Sequence, residues 1–365
     1  MPPFIPGLEL GRLFFIEAVK PIVDREFPDL RYAAALLGTG SEVLGFDTEM
    51  STDHEWGPRV DLFLSDADVI TVRTPLDEAL RAMLPHRFRG YPTSFSAPDP
   101  ADGGTRVLEA RDVGLVDHKI RIITPDGFFR SYLGVDADRD PDVAEWLTFP
   151  SQKLRTVTSG AVFHDTIGLD RRRKRFANYP RDVWLYLLAA AWARIGQEEH
   201  LMGRAGIVGD EIGSALIGGR LVRDLMRLCF LMERTHAPYP KWFGTAFARL
   251  RCAHQLTPHL QSALQAATWQ SRERHLGAAY EIVAGMHRLL KITGDLPTTT
   301  RGFFGRPFRV IALHGFADAL LDRIDDPKLR RLAEHPLIGS IDQFSDSTDL
   351  VEHAVWLPVL RRLYE

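Results

Sequence analysis

The chain has 365 residues, 45% of them hydrophobic and 25% charged, with a net charge of -3. That length suits two domains and a sizeable core, and the small negative charge gives no overall attraction to nucleic acid or anionic lipid. Two cysteines, Cys229 and Cys252, sit in apolar helical contexts and read as reduced thiols rather than a disulfide or zinc framework.

Gly7 to Arg25 has apolar residues at roughly helical spacing and stops at Phe27-Pro28, so a first helix is expected there. The opening MPPFIPGLELGRLFF lacks a basic segment before a long apolar run, and a cytoplasmic protein without a membrane anchor is expected. Arg31 to Leu37 reads as a strand ending in the turn Gly38-Thr39-Gly40-Ser41. A second strand is expected from His54 to Leu64, bent at Trp56-Gly57-Pro58. Pro75 to Leu84 reads as a helix, Ser94 to Gly104 as a loop, and Val107 to Ala110 and Val116 to Thr124 as further strands. From Asp142 the pattern turns helical, with candidates at Val143 to Val157, Arg181 to Arg204, Asp210 to Thr235, Trp242 to Ala253, His259 to Ala267 and Arg272 to Lys291. Two shorter ones follow at His314 to Ile324 and Val351 to Tyr364. An α/β domain over 1–140 and an all-α domain over 141–365 are therefore expected, the second closing over a cleft of the first.

The glycines of the turn allow backbone angles and close approach that a side chain would block, and Ser41 as an N-cap would leave N–H groups facing a phosphate. Eleven residues separate Ser41 from Asp53-His54-Glu55. At i and i+2 on a strand, Asp53 and Glu55 would share a face, where like charges favour a cation between them. His54 would then pack on the opposite side. Turn and acid pair together point to a Mg²⁺-nucleotide site.

The stretch GTGSEVLGFDTEMSTDHEWGPR resembles the polymerase-β-like nucleotidyltransferases, and within them the DUF4037 family. WLTFPSQKL (146–154), TSGAVFHD (158–165), YPRDVWLY (179–186), APYPKWFGTAF (237–247) and SIDQFSDST (340–348) resemble that family too. The resemblance implies an α+β protein whose N-terminal nucleotidyltransferase fold, a mixed sheet with helices, precedes a helical bundle. It implies transfer of an NMP from an NTP, with ATP the expected donor, to an acceptor hydroxyl with release of pyrophosphate. Gly40 and Ser41 would hold the β- and γ-phosphates, and Asp53 and Glu55 would ligate Mg²⁺ or Mn²⁺. Members carry a third acid on a later strand. Here Arg121 stands in that slot, with Glu109 and Asp117 as alternative acids. A nucleotide-binding protein without turnover, or an antitoxin-like interaction protein, therefore stays open.

Lys241 could reach a triphosphate or lie over Trp242. Arg59 could return to the site or form a strand-edge ion pair. Arg220, Arg223, Asp224 and Arg227 share a helix face, either a salt-bridged surface or a phosphate- or acceptor-binding wall. The run RRRKR (171–175) reads as a solvated loop with no nucleic-acid partner, and Trp184, Tyr186 and Trp192 as core. The acceptor could be a small hydroxylated molecule or a protein side chain.

Overall fold

A computed structural model describes residues 2–365, all side chains among them except that of Asp53. The chain is an α+β protein. It divides into two compact units, one of residues 1–140 with 153–177, the other of 141–152 with 178–365. The single break expected at 140/141 is thus three breaks, because the chain returns to the first unit between Lys153 and Ala177.

In the first unit, α1 (Gly7–Phe14) runs through a wider π turn at Phe15–Val19 into α2 (Lys20–Glu26). Strand β1 (Tyr32–Leu36) leads to the glycine turn and the single-turn helix α3 (Ser41–Leu44). Strand β2 (Asp61–Leu64) is followed by α4 (Asp66–Met83), capped by Ser65 Oγ, which accepts the Asp68 N–H at 3.1 Å. Pro75, expected to open a helix, lies inside this one; the stronger start signal is the serine ahead of two aspartates.

Two short ribbons follow, β3 (Arg87–Phe88) with β4 (Tyr91–Pro92) and β5 (Ser94–Phe95) with β6 (Leu108–Glu109). Then come β7 (Arg121–Ile123) and α5 (Pro125–Leu133). The main sheet has the order β7-β2-β1-β8, where β8 is Ala161–Asp165. Strand β1 runs antiparallel to both neighbours, while β2 and β7 are parallel.

One face of the sheet, with Tyr32, Ala34, Leu62, Leu64 and Ile122, closes a core with Leu10, Phe14, Val19 and Val23 of the opening helices and Leu76 and Leu80 of α4. On the other face Phe63 meets Phe128 of α5 edge-on at 5.6 Å. By the two-residue alternation of a strand, Asp61 belongs to that second face.

The strand expected from His54 onward is corrected. Glu49–Asp53 forms a 3-10 turn, Glu55 takes φ 56°, and extended pairing begins only at Asp61. Trp56 causes the detour: its ring is buried, stacks on Phe4 and meets Tyr91, and Nε1 donates to Asp47 Oδ2 at 3.2 Å. His54, expected to pack, is exposed.

The helix expected over Val143 to Val157 is two, α6 (Val143–Thr148) and α7 (Ser151–Thr158), broken at Pro150. RRRKR is no loop but part of α8 (Leu169–Arg175), and buried Arg173 donates to the carbonyls of Val157, Thr158 and Ser159.

The second unit is built on α9 (Arg181–Ile207), α10 (Glu211–Met232), α11 (Phe243–Phe247), α12 (Ala253–Gln265) and α13 (Trp269–Leu290). It is not all helix: β9 (Arg301–Phe303) and β10 (Arg306–Val310) form a hairpin. Trp184, Tyr186 and Trp192 are buried, as are the two free cysteines. Among the described residues, no helix is long and apolar enough to cross a membrane.

Trp192 Nε1 donates to His287 Nδ1 at 3.2 Å, and His287 Nε2 lies 3.0 Å from Thr293 Oγ1. The first bond requires an unprotonated Nδ1. Burial pushes the imidazole pKa down from 6.5 to about 4. The native state therefore binds fewer protons than the unfolded chain between those values, and stability rises with pH across that window, by about 3 kcal/mol for such a shift. Urea titrations from pH 4 to 7 should show this slope in the wild type and a flatter one in His287→Phe; equal slopes would remove the imidazole as its cause.

Candidate functional site: a charge-braced glycine turn

The turn after β1 needs its glycines. Gly38 has φ 94° and Gly40 φ 144°. A Cβ at Gly38 would stand 2.5 Å from the Tyr132 hydroxyl, and one at Gly40 would stand 2.6 Å from both Arg59 Nη2 and Glu42 Oε2. Gly40 is the N-cap of α3, and Ser41 is the first helical residue rather than the expected cap.

Two guanidinium–carboxylate pairs brace the backbone. Arg59 Nε donates to Glu42 Oε1 at 2.8 Å, and its Nη2 donates to the Thr39 carbonyl at 3.0 Å. Arg121 grips Asp61 with two bonds of 2.6 Å and also donates to Leu37 O at 3.1 Å. Asp61 in turn accepts the Leu37 N–H at 3.3 Å. Both carboxylates are nearly inaccessible, at 3% for Glu42 and 2% for Asp61. The parallel register places Asp61 opposite Arg121, so the pair follows from strand alignment. Tyr132 closes the turn by accepting the Thr39 N–H at 3.2 Å, and Lys153 Nζ lies 5.4 Å over its ring.

Glu55 enters the same neighbourhood by another route. One carboxylate oxygen accepts the Arg106 N–H at 2.8 Å and the other pairs with Lys119. Lys119 feels Glu42 and Arg121. Burial pushes its pKa down to about 8, with Arg121 adding to the shift and Glu42 opposing it. Contact with Glu55 also favours the charged ammonium and works against that fall.

The predicted residues are thus partly gathered. Gly40, Ser41, Arg59 and Glu55 belong to one charged neighbourhood, whereas Lys241 is in the second unit, exposed and 5.0 Å over the Trp242 ring. The carboxylate of Asp53 lies outside the described residues, but its backbone sits in the 3-10 turn and not on a strand with Glu55. Of the alternative acids, Glu109 pairs with Arg111, and Asp117 with Arg106 and Arg81. Sequence reading missed Glu42, Asp61, Lys119, Tyr132 and Lys153. The acid inside RVDLFL was the available signal for Asp61.

The acids beside the turn already have cationic partners, and Arg121 holds the one acid of strand β2. Among the described residues, no group of three His, Cys, Asp or Glu could hold an ion. The turn is held by the guanidiniums of Arg59 and Arg121 around a close-approach backbone, with Lys119 an electrostatic neighbour of Glu42 and Arg121.

Asp61 is buried, while the Arg121 side chain is 38% exposed and can be partly rehydrated when its partner is lost. Asp61→Ala should destabilise the protein by about 1.5–3 kcal/mol, and joint replacement of Asp61 by Leu and Arg121 by Met by clearly less. Chemical unfolding of both variants checks this; equal losses would show that the two side chains are not energetically coupled.

Residues 146–243 match the model of DUF4037, a domain of unknown function. No curated protein matches the chain. Among solved structures, a nucleotidyltransferase-like protein from Exiguobacterium sibiricum 255-15 aligns with 94% of this chain and 88% of its own, at 12% identity and a TM-score of 0.31.

Proposed function

We propose that the first unit binds the phosphate chain of a nucleoside triphosphate at the glycine turn, through Lys119 and the partly exposed Arg121, with Arg59 holding the turn from its buried side. The observation that carries this reading is that Arg59 and Arg121 hold a turn whose glycines leave no side chain in the way, with Lys119 in the electrostatic reach of Glu42 and Arg121. Arginine suits the role because its planar donor fork matches phosphate oxygens, and Lys119 adds a point charge. The bound anion would outweigh the acids that now balance the cluster. ATP is the nucleotide to test first.

A second reading is NMP transfer to an acceptor hydroxyl, with the Pα–O bond to pyrophosphate breaking as the acceptor oxygen attacks. The Asp53-x-Glu55 pair at its spacing from Gly40-Ser41 favours it, as does Glu55's place beside Lys119. It requires Glu55 to exchange Lys119 for Mg²⁺ or Mn²⁺, with Asp53 as second ligand. The Arg121–Asp61 pair speaks against it, since it fills the slot of the later-strand acid.

The test is incubation with each labelled NTP, with EDTA or with Mg²⁺ or Mn²⁺, reading bound nucleotide, pyrophosphate and transferred label. Binding that survives EDTA, weakens about tenfold in Lys119→Ala (about 1.4 kcal/mol) and releases no pyrophosphate is the expected result. Metal-dependent label transfer lost in Asp53→Ala would favour the second reading. No nucleotide retained under either condition would end both.

A further inference from the structure

Several sequence segments with no part in the glycine turn meet in the second unit. They line a cavity of about 410 Å³, within the ~300–1,000 Å³ of small-molecule sites. One wall is apolar, from Tyr179, Phe230, Pro238 and Phe243, the two phenyl rings 5.4 Å apart. The other is charged. Arg223 and Arg227, one turn apart on α10, both reach Asp346, which follows the short helix Ile341–Phe344. Asp342 of that helix accepts the Ser151 N–H at 2.7 Å, and Ser151 Oγ accepts the Ala237 N–H at 2.7 Å, so the segments are tied together at the cavity.

The two arginines are not equally matched by Asp346. Its side chain is 62% exposed, against 27% and 23% for Arg223 and Arg227. An exposed carboxylate loses little when water replaces its partner, whereas a half-buried guanidinium needs an anion. Arg223 Nε makes no hydrogen bond, with Asp224 Oδ1 standing 3.5 Å away. Asp224 is shared: its Oδ2 accepts from Arg194 Nε at 2.8 Å, and its Oδ1 accepts only a long bond of 3.5 Å from Arg223 Nη2. Asp342, fixed on the same wall, disfavours a ligand carrying more than one negative charge.

We propose that this cavity is a binding site for a small aromatic or bulky apolar monocarboxylate, whose body lies on the Tyr179–Phe230–Phe243 wall and whose carboxylate replaces Asp346 on Arg223 and Arg227. Asp346 is then an internal stand-in for the ligand's anionic group. The inference is independent of the nucleotide reading, since no residue is shared.

Fluorescence titration of the intact chain with 1-naphthoate and with the neutral 1-naphthylmethanol tests it. The wild type should bind the acid saturably and at least tenfold more tightly than the alcohol. Asp346→Asn should tighten the acid threefold or more and leave the alcohol unchanged, and Arg223→Gln with Arg227→Gln should erase the preference. Should the double variant unfold by circular dichroism, Asp346→Asn, at an exposed side chain, decides alone. Equal affinity for acid and alcohol, no saturable binding of either, or no tightening in Asp346→Asn would overturn the proposal.

Discussion

Asp61 is the residue on which the first unit's site turns. A buried carboxylate at the start of an inner strand is expensive unless its oxygens are occupied, and here Arg121 and the Leu37 N–H occupy them. Because Arg121 also holds the Leu37 carbonyl, the last residue before the glycine turn has both backbone groups taken by one ion pair. The turn is therefore set by the register of β2 against β7. The Arg59–Glu42 pair does the same from the other side through Thr39. Charge, geometry and strand order are one constraint, and a change in any of them reaches the backbone of the turn.

That constraint also sets the charge balance around the turn. A two-metal transferase concentrates unpaired carboxylates so that ions are drawn in. In this cluster Glu42, Asp61 and Glu55 each meet a cation of the chain itself, and the remaining hydrogen-bonding capacity belongs to Arg and Lys.

The glycine turn was legible because positive φ and close approach select glycine almost regardless of context. Arg121 was legible because it interrupts an apolar run. The strand expected through the acid pair misled for a physical reason. Alternation along a strand was applied to a segment that Trp56 pulls into the core, so the two-residue period never operates between Asp53 and Glu55. Pro75 misled likewise, since a proline inside a helix resembles one at its start while the Ser65 cap lies ten residues earlier. Arg173 looked solvated because five consecutive basic residues ignore the carbonyls that α7 leaves at its end, which satisfy that guanidinium. Local rules worked where the local chain determines conformation; long-range partners decided elsewhere.

The second unit applies the same electrostatics with the opposite consequence. Around the glycine turn the acids are the buried members of their pairs, so the pairs are structural and a ligand must use what the guanidiniums have left over. In the α10 cavity the acid that answers Arg223 and Arg227 is the exposed member, and the arginines are the sheltered ones. Solvent access to the carboxylate separates a fixed pair from an exchangeable one. A pair whose acid water can reach dissociates at little cost, while a half-buried guanidinium keeps its need for an anion. By that criterion Asp61 braces a fold, whereas Asp346 holds a place.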